Sequence, residues 1–191
     1  SKMDLSLNRF SAFSKADKLI AGCIKSFDAK APYRSVQPLT EIYRSLQSVK
    51  DKNPEVQHWR KIKMEACADL IVACAGLWLE ATSAQPYATA GGNLQVLTTA
   101  INRTDLKIEL VKLSLNKNDR EIKEQLQSDK TFTVMLDASI PPGAELSNPF
   151  WLEEEGNAKL TAFNRSHLAG HRAFPPTFSV QAEVNINDLR L

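Results

Sequence analysis

The hydrophobic period of this chain changes once, at Gly76, and that change restricts the fold more than any other feature. Before Gly76, apolar residues recur every three or four positions. After it, they recur every second position. The first spacing is that of a helix with one buried face and the second that of a half-buried strand. The expectation is therefore a helical segment, residues 1–75, followed by a strand-built segment, residues 76–191.

Three helices are expected in the first segment. Leu19, Ile20, Cys23, Ile24 and Phe27 share one face, with Ser14 as the expected N-cap, and the stretch from Asp28 to Pro32 ends the helix. Ser35 is the expected cap of a second helix carrying Leu39, Ile42, Tyr43 and Leu46. Asp51, Lys52, Asn53 and Pro54 form a turn; Asn53 can cap the third helix, and Pro54 suits the first helical position, where its missing N–H costs nothing. Val56, Trp59, Ala66, Cys67, Leu70, Ile71 and Cys74 make the buried stripe of that helix, and Gly76 is its natural stop.

Strands are expected at Leu77 to Ala81, Leu94 to Ala100, Ile108 to Leu115, Thr131 to Ile140 and Thr177 to Ile186. The charged stretch from Asp119 to Gln127 reads as either an edge strand or a loop. Phe178, Val180, Ala182, Val184 and Ile186 are expected to face inward, and Leu70, Ile71, Leu79, Val96, Leu110, Phe178 and Val180 to be buried. The fold class is α+β, about three helices leading into an antiparallel immunoglobulin-like β-sandwich.

Charge divides with the period. Residues 1–75 hold 13 Lys/Arg against 8 Asp/Glu, and residues 76–191 hold 11 against 14. The overall +2 decides nothing by itself about nucleic acid, and no nucleic-acid partner is expected. No apolar run approaches the ~20 residues that span a bilayer. Ser1-Lys2-Met3-Asp4 is polar with no apolar core behind it, so no secretion signal is expected in this stretch, and Ser1 is expected to be a cut within a longer chain. Cys23, Cys67 and Cys74 are expected to be free thiols: Cys67 and Cys74 lie two helical turns apart, about 10 Å by rise, too far for a disulfide.

Candidate chemistry is sparse. His167 and His171 are four apart, the spacing of a metal pair on a helix, but Gly170, Pro175 and Pro176 argue for solvated loop histidines and no metal site is assigned. His58 stands beside Trp59 and Arg60 without a visible partner. Glu153, Glu154 and Glu155 precede Gly156-Asn157 and read as a solvated turn rather than an acid/base pair. Nucleophile motifs, phosphate-cradling glycine loops and zinc-type His-x-x-Glu-His spacings are absent from the sequence, so no catalytic residue is assigned. Trp78, Tyr87, Phe150 and Trp151 are the candidates for a glycan platform, since aromatic faces pack against the C–H faces of sugars. Packing within the core or between domains is the competing expectation: Trp78 alternates within a strand, and Trp151 sits among Phe150 and Leu152.

Three segments carry a resemblance. They are Gly76 to Thr104 (GLWLEATSAQPYATAGGNLQVLTTAINRT), Asn148-Pro149-Phe150-Trp151-Leu152, and Phe174-Pro175-Pro176-Thr177-Phe178. In this order they resemble the non-catalytic C-terminal half of large bacterial PIG-L (LmbE-like) sugar deacetylases, over about Ser14 to Asn187. The family's zinc site uses a His-Pro-Asp-Asp type motif in a Rossmann-like domain and a further histidine downstream. No His-Pro pair occurs here, so no catalytic or zinc-binding residue is carried over.

The resemblance implies an accessory region that packs against, or positions, a zinc-dependent N-acetylglucosamine deacetylase domain, with the zinc in that other domain and no cofactor in this chain. The alternative is a carbohydrate-binding module that brings the parent enzyme to a glycan. A free-standing hydrolase ranks last. Implied partners are the catalytic domain of the same polypeptide, a glycan in the alternative, and a second copy if the region assembles oligomers. The compartment is left open, with a periplasmic or secreted bacterial setting slightly favoured over the cytoplasm.

Overall fold

A computed structural model of the chain describes residues 7–116, 118–144 and 178–191. Within them the protein is α+β: three helices, α1 (Ser14–Ser26), α2 (Val36–Gln47) and α3 (Pro54–Ala75), precede seven strands. These are β1 (Leu77–Ser83), β2 (Asn93–Asn102), β3 (Ile108–Leu115), β4 (Asn118–Leu126), β5 (Thr131–Ser139), β6 (Val180–Ile186) and β7 (Leu189–Arg190). They form two antiparallel sheets, ordered β1-β2-β5 and β4-β3-β6-β7. The stretch from Asp119 to Gln127 is thus a strand, at a sheet edge. Buried residues from helices and both sheets form one contiguous cluster.

The third helix begins as expected. Asn53 is extended, its side-chain oxygen accepts the Glu55 N–H at 2.9 Å, and Pro54 takes the first turn. The caps expected at Ser14 and Ser35 are not formed. Both residues already have right-handed helical backbone, because a 3-10 turn (Ser11–Phe13 and Pro32–Ser35) feeds each helix. A cap requires an extended residue. The Ser14 hydroxyl instead donates to the Ser11 carbonyl at 2.8 Å.

Gly76 closes α3 in the left-handed region, at φ 67°. A Cβ there would come within 3.1 Å of Thr104 Cγ2 and 3.4 Å of Arg103 Cβ. Glycine is therefore required twice, for the backbone turn and for the close approach of the β2–β3 connection. That connection holds the helix end: Arg103 N–H donates to the Gly76 carbonyl at 3.1 Å, and the Thr104 hydroxyl to the Ala75 carbonyl at 2.9 Å. Asn102, fully buried, organises the same turn. Its amide nitrogen donates to the carbonyls of Leu106 (2.9 Å) and Leu126 (3.3 Å), and its oxygen accepts from Thr104 N–H (3.0 Å) and shares the one Thr104 hydroxyl hydrogen (3.1 Å) with the Ala75 carbonyl.

The β3 pattern contains a phase change. Ile108 and Leu110 are buried, and so are Leu113 and Leu115, positions that an unbroken period of two puts on opposite faces. The pairings of β3 shift register between Leu110 and Lys112 on both sides, toward β4 and toward β6. An extra residue at Val111 returns the apolar side chains to the core. The charge of β4 fits its place at a sheet edge, where ionic side chains discourage pairing with other chains. Lys112 meets Asp119 at 2.9 Å, and Lys123 meets Glu121 at 2.6 Å.

Several burial expectations are corrected. Ile71, Val96 and Leu110 are buried, but Leu70 is 53% and Leu79 36% exposed. Leu79 lies on the same sheet face as buried Ala100, its pairing partner. Among the described residues, β1 is an edge strand with a neighbour on one side only. Leu70 lines an open groove between α1 and α3, which leaves it half uncovered. In β6, Val184 and Ile186 are buried, while Val180 and Ala182, and Phe178 just before the strand, are half-buried. The short strand β7 was not expected. Asn187 and Asp188, with φ 46° and 65°, make the two-residue turn that returns the chain along β6.

Candidate functional site

An almost wholly apolar hollow lies in the helical part. Helix α2 packs against both α1 and α3, whereas α1 and α3 scarcely meet. Between them runs a groove of about 340 Å³. Its floor is Leu39, Ile42 and Leu46 of α2, all buried. One wall is Ile20, Cys23, Ile24 and Phe27; the other is Lys63, Ala66, Cys67, Leu70 and Cys74. On the rim, Ile24 is 72% and Phe27 54% exposed, beside Leu70.

All three cysteines line this groove and all are free. Burial pushes the Cys67 thiol up to about 11, nearby Cys23 adds to the shift, and a backbone hydrogen bond from Tyr43 opposes it. Cys23 and Cys74 are raised by burial as well. The Cys67 sulfur lies 3.3 Å from the Leu39 carbonyl. These are weakly acidic thiols acting as apolar lining, not thiolates poised as nucleophiles.

Lys63 is the one charged residue of the lining. Its ammonium lies 5.8 Å from the centroid of Trp59, whose ring also carries the Arg9 guanidinium at 4.7 Å. This cation–π stack ties the segment before α1 to α3. His58, exposed in α3, makes an edge contact with the same ring at 5.8 Å.

The sheets carry two polar hollows. One, lined by Ser83, Gln85, Asn93, Gln95, Asn118 and Asp137 among others, has no aromatic residue in its lining. Gln95 donates to Asp137 at 2.8 Å and Ser139 to Asn93 at 3.1 Å, so these groups are largely occupied with each other. The other lies at the helix–sheet junction, with Tyr33, Arg103, Asp105 and Asp129 in its lining.

Of the expected glycan residues, Trp78 and Tyr87 are among the described residues. Trp78, expected to pack, is 44% exposed, and the Arg103 guanidinium stands 5.1 Å from its ring centroid. Tyr87 is 76% exposed, in the loop beyond the far end of β1. From Trp78 to Ser83 alone the strand rises about 16 Å, so the two rings form no common platform. Phe150 and Trp151 lie outside the described residues, as do His167, His171, the three glutamates Glu153 to Glu155, and all but Phe178 of the segment Phe174 to Phe178.

Among the described residues, no three metal-ligating side chains stand together. No helix among them is long and apolar enough to cross a membrane. The exposed apolar groove was not legible as a site. Its residues carry the periodicity of ordinary core, and only the placement of α1 and α3 leaves them open. No protein-family model matches the chain, and no curated protein or solved structure matches it.

Proposed function

We propose that this chain is a non-catalytic accessory region of a PIG-L-like, zinc-dependent N-acetylglucosamine deacetylase, and that it packs against and positions the catalytic domain. In this reading its two sheets are the halves of an immunoglobulin-like sandwich, and the helices connect it to the enzyme. The observation that carries the proposal is the groove between α1 and α3, with Ile24, Phe27 and Leu70 left exposed around a buried floor. An apolar face of this kind is a surface for another protein element. Trp78 and Leu79 on β1 are exposed as well, one on each face of the strand. The test is to read the coding sequence upstream of Met3, then to purify the domain it encodes and mix it with this chain. A zinc-binding deacetylase domain that forms a stable complex is the expected result; an upstream frame without such a domain overturns the proposal.

A carbohydrate-binding role is the second reading, and exposed Trp78 and Tyr87 favour it. It calls for Trp78 emission to shift on titration with chitin oligomers, with the shift lost in Arg103→Ala or Trp78→Phe. Emission unchanged across the titration would leave only the docking role.

A further inference from the structure

We propose that the groove between α1 and α3 seats an amphipathic helix bearing carboxylates, supplied by the docked catalytic domain; the identity of the supplier rests on the docking role above. Two helices that straddle a third and scarcely meet leave room, among the described residues, for a fourth helix. The α3 wall from Lys63 to Cys74 is about 16 Å long by helical rise. That is three turns, enough for anchors at i, i+4 and i+7, the pattern by which a helix docks in an apolar groove. Small residues in the walls, Ala66, Cys67, Cys23 and Cys74, permit close approach.

The width of the exposed surface selects a helix over a single acyl chain. A chain filling the 340 Å³ hollow would leave the outer parts of Ile24, Phe27 and Leu70 in water. A helix about 10–12 Å across covers floor and rim together. Charge selects its chemistry. Lys63 is the one cation in the lining and has no carboxylate partner among the described residues. The helical residues 1–75 carry a surplus of Lys/Arg over Asp/Glu. A basic helix would set like charge against Lys63, and an acidic one pairs with it.

The test uses the full chain and three probes. The first is a fluorescein-labelled peptide of about four turns, with Leu at the anchor positions and Glu elsewhere; the second has Lys in place of Glu; the third is dodecanoate. Expected are saturable binding of the acidic peptide, about tenfold tighter than the basic one, and reversal of that preference in Lys63→Glu. Ile24→Glu and Leu70→Glu, both at exposed positions, should abolish binding with an unchanged unfolding midpoint. Equal binding of both peptides, or saturation by dodecanoate alone, overturns the proposal. Mixing Leu70→Glu with the purified deacetylase domain separates the two claims. Capture equal to the unmodified chain sinks the groove and leaves docking. Acidic-peptide binding without any domain capture sinks docking and leaves the groove as a helix site.

Discussion

Replacing Asn102 by alanine should loosen the joint between helices and sheets. The side chain is fully buried and makes three full hydrogen bonds, two donated to the Leu106 and Leu126 carbonyls and one accepted from Thr104 N–H, and it shares the Thr104 hydroxyl hydrogen with the Ala75 carbonyl. A typical hydrogen bond contributes about 1 kcal/mol net, and a buried donor left without an acceptor costs about 1–3 kcal/mol. Thr104 N–H, part-buried, loses its acceptor in the variant and sits at the lower end of that cost. The two carbonyls keep a second lone pair, so their share sits at the lower end as well. The three bonds together come to about 3 kcal/mol, a large part of the ~5–15 kcal/mol that holds a typical domain folded. At roughly 2–4 °C per kcal/mol for a chain of this size, the midpoint should fall by about 6–12 °C. Thermal unfolding followed by far-ultraviolet circular dichroism reads it. Thr104→Val, which loses the bonds to Ala75 and Asn102, should be non-additive with Asn102→Ala, because the two share an interaction. A fall below about 2 °C in Asn102→Ala, or strict additivity of the pair, would refute the view that this cluster is the joint.

Core and rim of the apolar surface should separate cleanly. Leu110→Ala, fully buried in β3, should cost about 2–5 kcal/mol, whereas Leu70→Ala on the exposed groove wall should stay within about 1 kcal/mol by urea denaturation. The Asp119 carboxyl is held below its ordinary range, first by the Ser114 hydroxyl at 2.6 Å and then by Lys112. A depressed folded pKa gives stabilisation that is present above the unfolded value and lost as pH falls through the folded one. NMR titration should show its midpoint rise in Ser114→Ala, and an unmoved midpoint would contradict that cause. With its thiol pushed up to about 11, Cys67 should be the last of the three cysteines to react with a disulfide reagent at pH 8. Mass-spectrometric mapping that finds it labelled first would count against its burial.

Which parts of the fold were legible follows from the range of the forces involved. The three helices, the switch at Gly76 and the cap at Asn53 are read from neighbours along the chain, because capping and periodicity act within one turn. Ser14 and Ser35 misled for the same reason. Whether a serine caps depends on the backbone before it, and a 3-10 turn there had no distinct signal. The turn at Asn187-Asp188 was readable in principle, since Asn and Asp tolerate positive φ. The mixed parity of Ile108, Leu110, Leu113 and Leu115 was visible as well, and a bulge at Val111 is its physical meaning.

The sequence by itself determined that helices precede strands, where α3 stops, and that one glycine must stand at that stop. These are consequences of steric and hydrogen-bonding limits on a few consecutive residues. Which apolar faces are covered was decided only by the tertiary structure. Leu70 and Ile71 are adjacent on one helix and both apolar, yet one is half exposed and the other fully buried. Leu79 has the same alternation as Val96 but lies in an edge strand. Burial depends on what packs opposite, and α3 and β1 are covered by separate elements, α2 and β2, rather than by adjacent residues of their own segments. The groove between α1 and α3 exists because α2 holds both helices apart, a spacing set by contacts among three helices and carried by no single segment.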